Sequence, residues 1–430
     1  MKFFYADTLD HVDPGFHFQK DRYNPGRIPQ RDDVYAHELM APNRPYDGLL
    51  VSRYAFEGLS NQGRYSMAQR QRFLRQGAQR FLRFPETGTF DPDEFPILAD
   101  CGAFNYRNEH EPPYSAADMI DFYDSCGFTH GVSVDHMIGG YDATLDRASN
   151  AQLMLPGISH TVPDEWLRRY QMTIDNAADF IRKTKAGSYR FVPMGVVQGW
   201  SPKSYREAVQ SLAKMGYKQI ALGGLVPLKT PEILAILESV REETGGRLKL
   251  HLFGISRLEN FDAFKRAGVH SFDSTSPLRQ AFKDARNNYY SGSPEGHYTA
   301  VRIPQVDDNR KLVTRIRQGK VHRPEAFRLE QASLAAIRGL DRGEVEVDEV
   351  IGYLQQYEEL FGGNSKWPAI RRTLTDRPWQ SCNCPICSEI GVEVIIFRGS
   401  NRNKRRGFHN LWFTHQQLQS YREAPQETQA

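Results

Sequence analysis

Three thiols fall within one short stretch, SCNCPIC, as Cys382-x-Cys384-x2-Cys387, and His409 follows after a further 21 residues. Three thiolates and one imidazole complete a tetrahedral zinc shell with no position left for a water, so such a site is structural, not catalytic. Close cysteines also occur as packing residues, but Asn383 and Pro385 between these suit a metal knuckle better than a core. His415 is an alternative fourth ligand, and the sequence leaves that choice open. A second chemistry is suggested by two aspartates, each ending an apolar run: Asp100 in ADCGAF and Asp273 in GVHSFDSTSPLR (268–279). Two such carboxylates can break a glycosidic bond, one protonating the leaving group and the other attacking the anomeric carbon. Taken singly, an Asp beside Ser and Pro is more commonly a turn or helix cap.

The elements that must position these groups follow a simple pattern. Eight short β-rich runs recur: KFFYAD, GLLVSRY, FPILADCGAF, HGVSVDH, RFVPMGVVQG, KQIALGGL, LKLHLFGIS and VHSFDST. Between them lie segments such as SYREAVQSLAKMGY and TPEILAILESVREETGG, whose apolar residues recur at threes and fours and whose ends carry Gly. Strands alternating with helices fit either a doubly wound sheet or a (β/α)8 TIM barrel. The strand ends favour the barrel, because Asp100, Asp135, Gln198 with Gly199, Gly223 with Gly224, and Asp273 all stand where a barrel assembles its active site. The expected organisation is a catalytic barrel over 1–290, an inserted, mostly helical segment over 291–380, and a zinc-binding subdomain with a helical tail over 381–430.

With 430 residues, 40% of them hydrophobic, the chain can bury a large core, and its net charge of +3 is too small to identify a partner. The cations are nevertheless clustered. Six arginines and no acid lie between Arg64 and Arg83, and the runs RKLVTRIRQGKVHR (310–323) and RGSNRNKRR (398–406) repeat the theme. One such run is usually a solvated face; three favour a phosphate-rich partner. No apolar stretch is long enough to span a bilayer and no secretory leader is evident, so a cytoplasmic protein with reduced thiols is expected.

Taken together, the ordered runs ADCGAF, VSVDH, VVQG, ALGGL, LFGIS and FDSTSPLR, followed by C-x-C-x2-C and a distant His, resemble the tRNA-guanine transglycosylases. Those enzymes are zinc-bearing (β/α)8 barrels that exchange guanine in a polynucleotide for a 7-deazaguanine. The resemblance implies that Asp273 is the nucleophile of the FD-x3-P-x-R motif and Asp100 the general acid/base of D-x-G-x-F. It further implies that Asp135 accepts from N1 and the exocyclic amine of guanine, that Gln198 and Gly199 read O6, and that the backbone of Gly223 and Gly224 closes on the base. Cys382, Cys384, Cys387 and His409 would hold the structural zinc.

The sequence also departs from the tRNA enzymes. A stretch of 108 residues separates Asp273 from Cys382, where they have a short linker. Gln280, Ala281 and Phe282 replace basic residues beyond Arg279, and Cys101, Ala103 and Asn105 stand where Ser, Gly and Gln are usual. With the short lead into KFFYADTLDHVDPGF, these features resemble the DNA-directed branch, whose members insert 7-cyano-7-deazaguanine (preQ0) into DNA. DNA is therefore the expected polymer, with tRNA the alternative. The sequence leaves open whether a helper ATPase opens the duplex and whether the chain forms a homodimer. Two further readings are weaker. A non-catalytic nucleic-acid-binding subunit would not need both aspartates, and an ordinary glycoside hydrolase would not need the zinc motif or the purine-reading residues.

Overall fold

The computed structural model describes residues 1–7, 9–58, 65–84, 94–146, 161–283 and 286–423. Eight parallel strands close into a barrel in chain order: β1 Lys2–Ala6, β2 Gly48–Ser52, β3 Ile97–Asp100, β4 His130–Val132, β5 Val192–Val197, β6 Gln219–Leu222, β7 Lys249–Leu252 and β8 Val269–Asp273. The ring closes through β1 and β8, with Phe4 opposite Asp273. All eight expected runs are therefore barrel strands.

Side chains alternate along a strand, so residues two apart share a face. Phe4, Leu50, Leu98, Val132, Met194, Val196 and Ala221 form one buried cluster, the filled interior of the barrel. Stepping two residues toward the strand ends leads from Leu98 to Asp100, from Val196 to Gln198 and from Ala221 to Gly223. The same inward parity that packs the core thus delivers polar groups at its C-terminal rim. Helices cover the outside. Pro202–Met215 is an example: Ser201 caps it by accepting from the Ser204 N–H, and Gly216, in the left-handed region at φ +103°, ends it.

The chain divides into two compact units, one of Met1–Leu9, Tyr46–Thr275 and Leu418–Ala430, the other of Asp10–Pro45 and Ser276–Gln417. The first holds the barrel. In the second, 291–380 is mostly helical, with helices Arg310–Arg317, Arg323–Asp341, Val347–Phe361 and Trp367–Asp376 and a short strand at Val301–Arg302.

The run 398–406, expected to contribute to a phosphate-binding basic surface, is internal instead: the tail helix spans Gly399–Glu423 and takes in most of it. Arg398, Arg402, Arg405 and Arg406 are all buried. Arg398 and Arg402 share the Asp21 carboxylate, Arg398 also pairs with Glu330, and Arg402 with Glu393. Arg406 donates to the carbonyls of Ala281 and Val394 and to Asn403, and its burial pushes its pKa down to about 9. These arginines are internal ties, each closing hydrogen bonds that burial would otherwise leave open.

Among the described residues no helix is long and apolar enough to cross a membrane.

Candidate active site and metal cluster

Asp100 is the last residue of β3, and its Oδ1 is shut off from water with no hydrogen-bond partner among the described residues. Burial, and after it the charges of Asp135 and Asp273, push its pKa up to about 8. A carboxyl in that state carries a proton near neutral pH, as a general acid must. Gly102 follows at φ +84°, and a Cβ there would lie 2.3 Å from Ser52 Oγ and 2.7 Å from Tyr54 Cβ, so the turn that frees Asp100 requires glycine.

Asp135 lies three residues beyond the last paired residue of β4 and is buried. Its Oδ2 accepts from Gln198 Nε2 at 2.6 Å and its Oδ1 from the Cys101 thiol at 3.2 Å. Burial raises its pKa, and the Gln198 and Cys101 bonds oppose that rise. Tyr106 ties the corner together, donating to the Asp135 carbonyl at 2.8 Å.

Since a carboxylate only accepts, the Gln198 amide must turn its nitrogen to Asp135; among the described residues its Oε1, buried, has no partner and its second N–H no acceptor. Gly223 and Gly224 pack directly against that amide: a Cβ at Gly223 would meet Gln198 Nε2 at 2.2 Å, and one at Gly224 would meet Oε1 at 2.7 Å. Gly199 has a different neighbour, since a Cβ there would lie 2.7 Å from the Tyr205 ring.

Asp273 ends β8, nearly buried, and its Oδ1 accepts from the Gly254 N–H at 3.0 Å and faces His251 Nε2 at 3.3 Å. The barrel rim thus brings together Asp100, Asp135, Gln198, Gly223, Gly224 and Asp273. The sequence reading missed His251 and Tyr106. His251 stood in the quoted run LKLHLFGIS two positions before Phe253, on the inward parity, and that was the available signal.

In the other unit Cys382, Cys384, Cys387 and His409 converge, with their candidate ligand atoms within 4.8 Å of one another. His409 Nδ1 lies 3.6, 3.3 and 3.5 Å from the three sulfurs in that order. A tetrahedron with metal–sulfur bonds of about 2.3 Å and a metal–nitrogen bond of about 2.0 Å has an S···N edge of about 3.5 Å. The four atoms can therefore hold a metal ion. The other ring nitrogen of His409, Nε2, lies 2.9 Å from the Tyr290 carbonyl, which fixes the ring with Nδ1 toward the thiols. Tyr289 stacks on His409 at 4.0 Å between ring centres, and its hydroxyl lies 3.2 Å from Cys387 Sγ. His415, the alternative ligand, is not part of this cluster.

No family model matches the chain. A DNA-guanine transglycosylase from Salmonella montevideo is 42% identical over 425 residues, covering 97% of each chain. The chain belongs to the DNA-guanine transglycosylase family. It is a pentosyltransferase that exchanges guanine, within the wider tRNA-guanine transglycosylase superfamily that its motifs resemble.

In this DNA-guanine transglycosylase family member the other two basic runs differ from the buried one. Arg310, Lys311, Arg317 and Lys320 are exposed, on or just after the helix Arg310–Arg317, whose buried contact is Leu312. Of the run 64–83, Arg64 lies outside the described residues, Arg75 and Arg80 are exposed, and Arg72 lies over the Phe81 ring at 4.7 Å.

Proposed function

We propose that the protein replaces guanine in DNA with 7-cyano-7-deazaguanine through a covalent aspartyl-deoxyribose intermediate. The observation that carries this reading is the Asp100 carboxyl, its Oδ1 closed off from water and its pKa raised by desolvation and then by the charges of Asp135 and Asp273, set beside the Asp135–Gln198 pair. The target nucleotide is flipped from its stack into the pocket. Asp135 accepts from N1–H and the exocyclic amine of the base, and the free N–H of Gln198 donates to O6. 7-Cyano-7-deazaguanine presents the same three groups, so one set of residues holds both bases.

Asp273 then attacks C1′, the C1′–N9 bond breaks, and the departing guanine takes the Asp100 proton. After guanine leaves and the 7-deazaguanine enters, its N9–H proton passes to Asp100, N9 attacks C1′, and the bond to Asp273 breaks. Two displacements retain configuration at C1′. DNA is favoured over tRNA by the relative's activity and by the long segment between Asp273 and Cys382. The exposed arginines and lysines of 310–320 fit a backbone-tracking role, which positions a strand without reading its sequence. The chain acts in the cytoplasm on this reading. Nucleoside mass spectrometry of DNA and tRNA from cells with and without the protein tests it: a 7-deazaguanine nucleoside is expected in DNA only when the protein is present, and one confined to tRNA would defeat the DNA assignment.

We propose further that the metal is a structural zinc, bound by Cys382, Cys384, Cys387 and His409, which stabilises the fold around it without entering the chemistry. Metal analysis should give one zinc per chain, lost in Cys384→Ser. Tyr289→Phe should keep the fold but lower zinc affinity about 10- to 100-fold in chelator competition, because Cys387 loses its hydroxyl neighbour. Undiminished zinc in Cys384→Ser would remove the assignment.

A further inference from the structure

We propose that His251 is a positioning residue for Asp273, an inference that rests on the reading of Asp273 as the nucleophile. His251 is fully buried on β7, and the residues facing it on β8, Ser271 and Asp273, share one side of their strand. The ring is held at both nitrogens. Nδ1 lies 2.9 Å from Ser271 Oγ and Nε2 lies 3.3 Å from Asp273 Oδ1.

Those two contacts select the tautomer. A carboxylate cannot donate, so Nε2 carries the proton and Nδ1 accepts from the Ser271 hydroxyl; the opposite tautomer would set a nitrogen lone pair against the Asp273 oxygen. Phe4 and Phe253 meet the ring edge-on, with centroids 5.7 and 4.9 Å away, and fix its plane. With the Gly254 N–H also donating to Oδ1, both donors fall on one oxygen, and among the described residues none reaches Oδ2. Asp273 is therefore pinned by Oδ1 and presents Oδ2 as the attacking atom. The 3.3 Å separation is long for such a bond, and contacts of this kind tighten when substrate binds.

A misplaced nucleophile slows the chemical step more than it weakens binding. The test measures exchange of labelled guanine into a single-stranded DNA oligonucleotide by full-length His251→Phe, His251→Gln, Ser271→Ala and Asp273→Asn. In His251→Phe kcat should fall about 10- to 100-fold with KM for DNA within about twofold. His251→Gln, whose amide nitrogen can occupy the Nε2 position, should recover most of that loss, and Ser271→Ala should lose a smaller part of it. Melting temperatures are recorded for each, and if His251→Phe is unfolded, the Gln and Ala variants carry the comparison. Wild-type kcat in folded His251→Phe, or equal impairment of folded Phe and Gln variants, overturns the inference, as does unchanged kcat in Ser271→Ala should the Phe variant not fold. Exchange surviving in Asp273→Asn would instead remove the nucleophile reading itself. Abolition there with intact His251→Phe activity would remove only the role of His251.

Discussion

Asp273→Asn should abolish base exchange, to below about one-thousandth of the wild-type rate, while fold and metal content stay unchanged. The amide oxygen of Asn can still accept from the Gly254 N–H, so the change keeps that contact and removes the negative charge at the end of β8 that we propose as the nucleophile. A non-catalytic nucleic-acid-binding subunit predicts no such loss, because it has no exchange to lose. The measurement is exchange of labelled guanine by purified wild-type and variant protein, with melting curves and metal analysis alongside. Activity within tenfold of wild type would remove the nucleophile assignment.

Asp100→Asn should have two opposed effects. Exchange should fall by roughly 10²- to 10⁴-fold, since the change removes the proton donor we propose for the leaving guanine. Stability at neutral pH rises. A carboxyl whose pKa is pushed up to about 8 in the fold, against about 3.9 when unfolded, binds its proton more tightly in the native state. Between those two values the native state holds more protons than the unfolded chain, so raising the pH costs stability across that window. Below it both states are protonated and the cost vanishes. The Asn variant is free of this cost and should be more stable at pH 7 by about 1–4 kcal/mol, with the difference shrinking toward pH 4. Denaturation at the two pH values checks this. Wild-type exchange should likewise decline as pH rises through about 8, where Asp100 loses the proton it donates. A variant less stable than wild type at pH 7, or exchange that climbs past pH 9, would contradict the assignment.

The rim positions of Asp100, Gln198, Gly223 and Asp273 were legible in the sequence because each ends an apolar run on the inward strand parity, where a barrel gathers polar side chains and glycines. The cysteine cluster was legible because its spacing is local. His251 was not, because a histidine inside an apolar strand is more often a satisfied core residue, and only the neighbouring β8 shows what it faces. The run 398–406 was misread for a related reason. The carboxylate that Arg398 and Arg402 share belongs to Asp21, 377 and 381 positions away, in a segment between β1 and β2 that groups with 276–417 in a compact unit. Charge density along a sequence cannot distinguish an exposed basic face from arginines whose acids arrive from afar.

Exchange of guanine for a 7-deazaguanine in DNA is the reaction we propose for this chain. It is tested most directly by offering purified protein single-stranded DNA, duplex DNA and tRNA in parallel, at matched salt, with labelled 7-cyano-7-deazaguanine. Label should enter DNA, more readily in the single strand because flipping a paired base costs a few kcal/mol, and should be absent from all three polymers with Asp273→Asn. Label entering tRNA and never DNA would contradict the account.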